Sequence, residues 1–334
     1  MDILVTGGAG YVGSVSMAAL ERAGHKTWAL DNLSRGHAEA VPAGRLVEAD
    51  LADTEAVARA LAEKDIDAVL HCAALAYVGE SVARPGRYWR NNVGGTVSLL
   101  EAMRATGVEA VVFSSSCAVY GEPEKLPLDE SHPQNPVNPY GWTKLACEEM
   151  MREFARAHGL RWIALRYFNA AGAALDGSLG EAHDPESHLI PLALAAAGGT
   201  GKPLTIFGDD YPTRDGTCVR DYIHVEDLAE AHRLAIEHLA GGAGGGGGGG
   251  SCAYNLGTET GSTVREVIAS VERVTKKKVP CAEGARREGD PPELVASSEA
   301  IRRDWGWAPR CTSLDDIVKS AWAWMQQGGF GGRG

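Results

Sequence analysis

The chain has 334 residues, 44% hydrophobic and 23% charged, an ordinary globular composition long enough for two domains or one large one. Its formal net charge of -12 argues against a general binder of nucleic acid or membrane surfaces, while leaving room for an anionic ligand held by local arginines. Seven widely spaced cysteines without C-x-x-C, and ten histidines without H-E-x-x-H or comparable spacing, point to a reducing cytoplasmic setting and to no catalytic metal.

Met1-Asp2-Ile3-Leu4-Val5 has no basic leader and runs into a glycine turn, so it reads as a first strand rather than a signal peptide. No apolar run reaches the ~18 residues that span a bilayer. Gly7-Gly8-Ala9-Gly10-Tyr11-Val12-Gly13 follows, then a helix over 14–23 and a strand over 27–30 that ends at Asp31, 18 positions after Gly13. A G-x-x-G-x-x-G turn between strand and helix, with an acid closing the next strand, is a dinucleotide-binding βαβ unit. The glycines let the backbone approach a pyrophosphate on the helix N-terminus. Asp31 suits the adenosine ribose hydroxyls and would repel a 2′-phosphate, so NAD is favoured over NADP.

The alternation continues. A strand over 45–49 runs into Asp50-Leu51, a helix covers 54–63, and a strand over 68–71 leads into Cys72-Ala73-Ala74, small enough for a cofactor to lie close. A helix covers 92–106, a strand over 110–113 enters Ser114-Ser115-Ser116, and a strand covers 162–165. The expected fold class is α/β, a doubly wound parallel sheet of Rossmann type. Ligands in such sheets lie beyond the C-terminal strand ends, where Asp31, Asp50, Ala73 and Ser116 fall.

Between the last two strands, Pro136, Asn138 and Pro139 precede Tyr140-Gly141-Trp142-Thr143-Lys144, which reads as a helix start. Tyr140 and Lys144 then leave the same helix face. An ammonium beside a phenol favours the phenolate, so the pair is expected to supply a base near neutral pH. Alone, Y-x-x-x-K reads better as a half-exposed tyrosine and a solvated lysine on a surface helix. Ser116 alone is a turn residue, and no G-x-S-x-G elbow surrounds it. Together behind a nucleotide turn, the three are far more specific, with Ser116 bridging a substrate oxygen to the phenol.

Beyond Phe168 the pattern changes. Residues 170–183 read as loop, 189–197 as a short helix, 204–207 as a strand, 208–218 as turns, and 225–239, 264–275 and 314–324 as helices. The stretch 241–250 is nearly pure glycine and reads as an expanded surface loop, and the tail from Gly328 is expected to fray. The expected division is a nucleotide-binding domain over 1–170 and a smaller α/β substrate domain over 171–334, part of which packs back on the first.

With these pieces assembled, the chain resembles the extended short-chain dehydrogenase/reductase family, and within it the branch of UDP-hexose 4-epimerases. The resemblance rests on Thr6 to Ser14, Leu30-Asp-Asn-Leu33, Val78 to Val82, Asn91 to Thr96, Phe113 to Gly121, Arg166-Tyr-Phe-Asn169, Ile206 to Thr213, Val219 to His224 and Arg286 to Asp290. It implies reversible epimerisation of UDP-galactose and UDP-glucose at C4, through a 4-keto sugar and tightly held NAD. Tyr140 would be the base, Lys144 would hold the nicotinamide ribose, and Ser116 would bond the 4-oxygen. It further implies cofactor contacts from Gly7, Gly10, Tyr11, Val12 and Gly13, then from Asn32, Asp50, Leu51, Cys72, Ala73 and Ala74, and from Asn92, Ser114 and Tyr167. On the substrate side it implies Arg220 and Arg287 at the diphosphate, Phe207 near the uracil, Asp290 at the UDP ribose and Asn169 at the nucleotide sugar, with His188, Leu189, Thr205 and Leu294 around them. A homodimer through the helices 92–106 and 140–157 is implied as well, although Leu99, Leu100, Met103, Met150 and Phe154 could equally face the monomer's core.

Several positions depart from the family pattern: Ala76, Ala118, Trp142 and Val15, and Leu294 where some members carry a tyrosine that narrows the sugar pocket. The last motivates acceptance of N-acetylated UDP-hexosamines. A 4,6-dehydratase is disfavoured because Cys117-Ala118, rather than an acidic pair, follow Ser116. A UDP-pentose epimerase and, in a different class, a non-catalytic NAD-sensing protein remain the alternatives.

Overall fold

The computed structural model describes residues 1–241, 252–287 and 291–331. Asp290 and, apart from Gly241, the glycine stretch 241–250 lie outside the described residues. The nucleotide-binding half opens with β1 (Asp2–Thr6), α1 (Tyr11–Arg22), β2 (Lys26–Asp31), β3 (Leu46–Glu48), α2 (Thr54–Glu63) and β4 (Ala68–His71). Two short helices follow, α3 (Val78–Ala83) and α4 (Pro85–Tyr88), then a wide π-type turn over Trp89–Gly94 that runs into α5 (Gly95–Thr106). β5 (Ala110–Ser116), α6 (Pro139–His158) and β6 (Arg161–Tyr167) complete the run. The expected strand over 110–113 therefore extends to Ser116.

The rest of the chain gives β7 (Asn169–Ala171), α7 (Leu189–Gly198), β8 (Leu204–Phe207), β9 (Val219–His224), α8 (Val225–Ala240) and β10 (Cys252–Leu256). It ends with β11 (Gly261–Thr263), α9 (Val264–Thr275), β12 (Cys281–Gly284), β13 (Glu293–Leu294), α10 (Glu299–Trp305) and α11 (Leu314–Gln326).

The main sheet is parallel throughout, in the order β10-β6-β5-β4-β1-β2-β3. Its apolar strands are sorted by the pleat, because successive side chains point to opposite faces. Ile3, Val5, Leu70, Val112, Ile163 and Leu165 pack with Met17 and Leu20 of α1 and Leu228 and Ile236 of α8. Leu4, Val69, Val111, Phe113 and Trp162 pack on the other face, with Leu61 of α2, Leu99 and Met103 of α5 and Met151 of α6. Residues from beyond the 170 boundary thus build one side of the nucleotide-binding sheet, since α8 covers it and β10 forms its edge.

The second unit is centred on β9, which pairs with β7 and β13 in parallel and β11 antiparallel, and on the parallel pair β8–β12. Helices α7, α9 and α11 share a core around Leu194, Val267, Val271, Ile317 and Val318. The frayed tail is a correction. Phe330 stacks on His37 at 4.7 Å and meets Trp324 edge-on at 5.0 Å, so burying its ring holds residues 328–331 against the body. Among the described residues, no helix is long and apolar enough to cross a membrane.

Candidate active site

The strand order reverses between β1 and β4, and the turns after these two strands open onto one crevice. Gly7 has φ +69°, and a Cβ built on it would lie 2.7 Å from the Ala73 nitrogen. A Cβ on Gly13 would lie 2.1 Å from the Gly7 carbonyl oxygen. Only glycine permits a turn this tight. Helix α1 begins at Tyr11, earlier than the sequence pattern suggested, and Gly10 at its N-cap offers no side chain to its first N–H groups. Those donors and the helix dipole suit a pyrophosphate.

At the end of β2, Asp31 accepts hydrogen bonds from the Ala9 and Leu33 N–H groups at 3.1 and 2.9 Å. Burial raises its carboxyl above the usual range against the pull of these two bonds. Asn32 donates to Asp50 at 2.7 Å and Asp50 accepts from the Ala52 N–H at 2.8 Å, so the ends of β2 and β3 are tied side by side. Tyr11, Val12, Leu51, Cys72, Ala74 and Tyr167 line the same cleft. The cradle, the free helix N-terminus and an acid lining the cleft at the end of β2 fit NAD.

The cleft encloses about 1430 Å³, more than a single drug-sized ligand requires, and runs on past the ends of β5 and α6. Asn138 caps α6 by accepting from the Gly141 N–H at 2.9 Å, and Pro139 fills the first turn. A Cβ on Gly141 would fall 2.4 Å from the Ala118 carbonyl, so this glycine lets the helix start lie against the loop that follows Ser116. Tyr140, 8% exposed, and Ser116 are thereby brought to one wall. Burial pushes the Tyr140 phenol up to about 12, with a hydrogen bond from Ser116 acting the other way. The expected depression by Lys144 is therefore not a property of the protein alone. The Lys144 ammonium donates to the Ser114 carbonyl at 2.7 Å and lies 5.9 Å from the Tyr140 ring centroid, and burial lowers it to about 8.

Glu148, one turn beyond Lys144, fixes the rotation of α6. It is fully buried and accepts from Arg166 Nε at 3.0 Å and Nη2 at 2.5 Å, joining the helix to β6.

Toward the second unit the cleft is lined by Asn169, His188, Leu189, Thr205, Phe207, Arg220, Arg287 and Leu294. The Arg287 guanidinium stacks 4.1 Å from the Phe207 ring, which pre-orders a cation and an aromatic face at the same spot. Asn169 donates to the Asp221 carbonyl at 2.9 Å.

Two expected cofactor residues stand behind the wall rather than on it. Asn92 donates to the Leu75 carbonyl at 3.0 Å and to Thr143 at 3.1 Å, and so shapes the segment after β4. The Ser114 side chain faces Cys72 and His232 at 3.1 and 3.2 Å. Both are polar groups whose partners are protein, which motif spacing does not reveal. Conversely, Glu181 and His183, within the expected loop 170–183, and Glu186 just beyond it line the cleft. Their signal was the repeat Glu-x-His-x-x-Glu-x-His over 181–188. Among the departures, Ala76 and Ala118 face the cleft, Val15 is buried, and Trp142 is exposed to solvent.

Residues 3–257 match the NAD dependent epimerase/dehydratase family. The chain is 48% identical over 331 residues to the UDP-glucose 4-epimerase of Rhizobium meliloti (strain 1021), covering 99% of each. It superposes on the UDP-glucose 4-epimerase of Brucella ovis, solved in complex with NAD, with a TM-score of 0.92 at 50% identity, covering 96% of this chain and 97% of that one. The enzyme of the same name from Bifidobacterium longum, solved with NAD+ and UDP, gives a TM-score of 0.92 at 36% identity over 98% of both chains.

Proposed function

The chain belongs to the NAD dependent epimerase/dehydratase family, and we propose that it interconverts UDP-galactose and UDP-glucose by inverting C4 of the hexose through a transient 4-keto sugar. The observation that carries this reading is one continuous cleft, lined by the glycine turn and Asp31, then by Ser116, Tyr140 and Lys144, then by Arg220, Arg287 and Phe207.

NAD, held by the glycine turn, Asp31 and the Cys72–Ala74 segment, supplies a reversible hydride acceptor for C4. The chain's own residues do the rest. Arg220 and Arg287 hold the diphosphate by charge-assisted hydrogen bonds, and Phe207 offers its ring to the uracil. Anchoring UDP rather than the hexose leaves the keto sugar free to present its other face to the same wall. Tyr140 Oη takes the proton of the 4-hydroxyl in one half-reaction and returns a proton in the other. Burial keeps this phenol protonated, so the base works only once positive charge is brought beside it; on the protein's side the available cation is Lys144, 5.9 Å from the ring centroid. Ser116 Oγ hydrogen-bonds the 4-oxygen and bridges it to Tyr140. Cys117 and Ala118 offer no acid for a 6-hydroxyl leaving group, so elimination has no proton donor here.

The test is UDP-glucose formation from UDP-galactose without added NAD, with Tyr140→Phe beside the wild type. We expect turnover by the wild type and a loss of about 10²–10⁴-fold or more in the variant. Inactivity of both, with NAD and UDP still bound, would reject this substrate pair.

A further inference from the structure

We propose that Glu181, His183, Glu186 and His188 form a four-ligand site for a zinc-class divalent cation at the edge of the cleft. The inference stands on the geometry of the segment between β7 and α7, whose His188 also lines the substrate side of the cleft.

One imidazole nitrogen from each histidine and one carboxylate oxygen from each glutamate all lie within 4.8 Å of one another. His183 Nδ1 is 2.9 Å from Glu181 Oε1 and 3.9 Å from Glu186 Oε1, His188 Nδ1 is 3.5 Å from Glu186 Oε1, and His188 also contacts Glu181 directly. Bonds of about 2.0–2.2 Å from zinc to nitrogen and oxygen place neighbouring ligands of a tetrahedron roughly 3.4 Å apart, the scale seen here. Two imidazoles with two carboxylates suit zinc, whereas magnesium prefers six oxygens in an octahedron.

The segment that carries the ligands is tied down on several sides. Glu186 Oε1 itself accepts from the backbone N–H groups of Ser187 and His188 at 2.7 and 2.8 Å, which orders that carboxylate and leaves Oε2 free of these bonds. The Glu181 carbonyl accepts from Trp324 Nε1 at 2.9 Å, and the Ala182 carbonyl lies 2.7 Å from His37 Nε2. The Tyr77 ring meets both imidazoles edge-on, at 5.7 and 6.2 Å. The Glu181 side chain is only 6% exposed, so its charge must be met within the cluster.

The experiment is a zinc and cobalt titration of the full chain, with His183→Gln and Glu186→Gln in parallel. Expected are stoichiometric zinc that survives dialysis, the intense visible absorption of four-coordinate cobalt, and affinity weakened roughly 100-fold or more in each variant, beyond the 10–100-fold that an outer partner commands. Because a variant can fail to fold, the wild type's melting temperature is followed as well, and zinc is expected to raise it while magnesium does not. Zinc retained no better by the wild type than by folded variants, a six-coordinate cobalt spectrum, or no melting shift would each overturn the site, leaving an ion-pair cluster with an adventitious ion only.

Discussion

Leu294 lies on β13 opposite Arg220 of β9, and its half-buried side chain packs against the cluster of Val119, Phe168 and Ala296 at the cleft wall. A leucine there leaves room that a tyrosine ring would fill. We therefore expect the wild type to turn over UDP-N-acetylgalactosamine as well as UDP-galactose, measured under equal conditions. Leu294→Tyr should lower the N-acetyl to galactose ratio by roughly tenfold or more, since overpacking costs about 1–3 kcal/mol. No detectable turnover of the N-acetylated sugar by the wild type would sink this idea. At this scale the sequence reached the identity of the chemical groups but not their balance of charge. Tyr140 and Lys144 were legible as a pair because one helical turn separates them. That burial sets the phenol depended on Tyr88, Leu75 and Ala118 packing around the ring, contacts distant in sequence.

Helices α5 and α6 carry two kinds of apolar residue. Leu99, Leu100 and Met103 are buried in the monomer core, and Met150 and Phe154 pack against its edge, so these five do not argue for an interface. Val97 and Trp142 on the same helices, with Val82 and Trp89 before them, are exposed instead. We propose that they form the centre of a homodimer contact. Trp142→Glu should shift the chain to a monomer in sedimentation velocity, and a monomeric wild type at micromolar concentration would reject the proposal. The long helices were legible because apolar positions recur at helical spacing in 54–63 and 264–275. The short ones were not, since four residues in α4 and six in α3 carry too few turns for a period. Strand β9 was missed because its neighbours β7, β11 and β13 are two or three residues long and distant in sequence, so its pairing is wholly tertiary.

Two buried histidines tie covering helices to both faces of the main sheet. His71 joins Thr6 of β1 at 2.7 Å to Thr96 of α5 at 2.9 Å, and His232 of α8 joins Ser16 of α1 at 3.1 Å to Ser114 of β5 at 3.2 Å. Burial lowers each to about 3. Both are therefore neutral when folded, while the unfolded chain takes up protons below 6.5, the ordinary value. Between about 6.5 and 3 the unfolded state binds more protons, so stability falls with pH by about 1.4 kcal/mol per unit for each histidine. Melting temperature should thus drop steeply from pH 7 to pH 4, and less steeply in His232→Gln. An unchanged slope in that variant would remove His232 from the account. The same helix α8, with strand β10, has a consequence for how the protein is made. A ribosome releases the chain from its N-terminus, yet the nucleotide-binding sheet receives one face cover and its edge strand only after residues 171–224 have emerged. A nascent chain stopped near residue 170 would carry β6 as a bare edge and Ile163 and Leu165 uncovered. The nucleotide-binding half of the cleft is consequently complete only once α8 and β10, which follow most of the substrate side in the chain, have joined it.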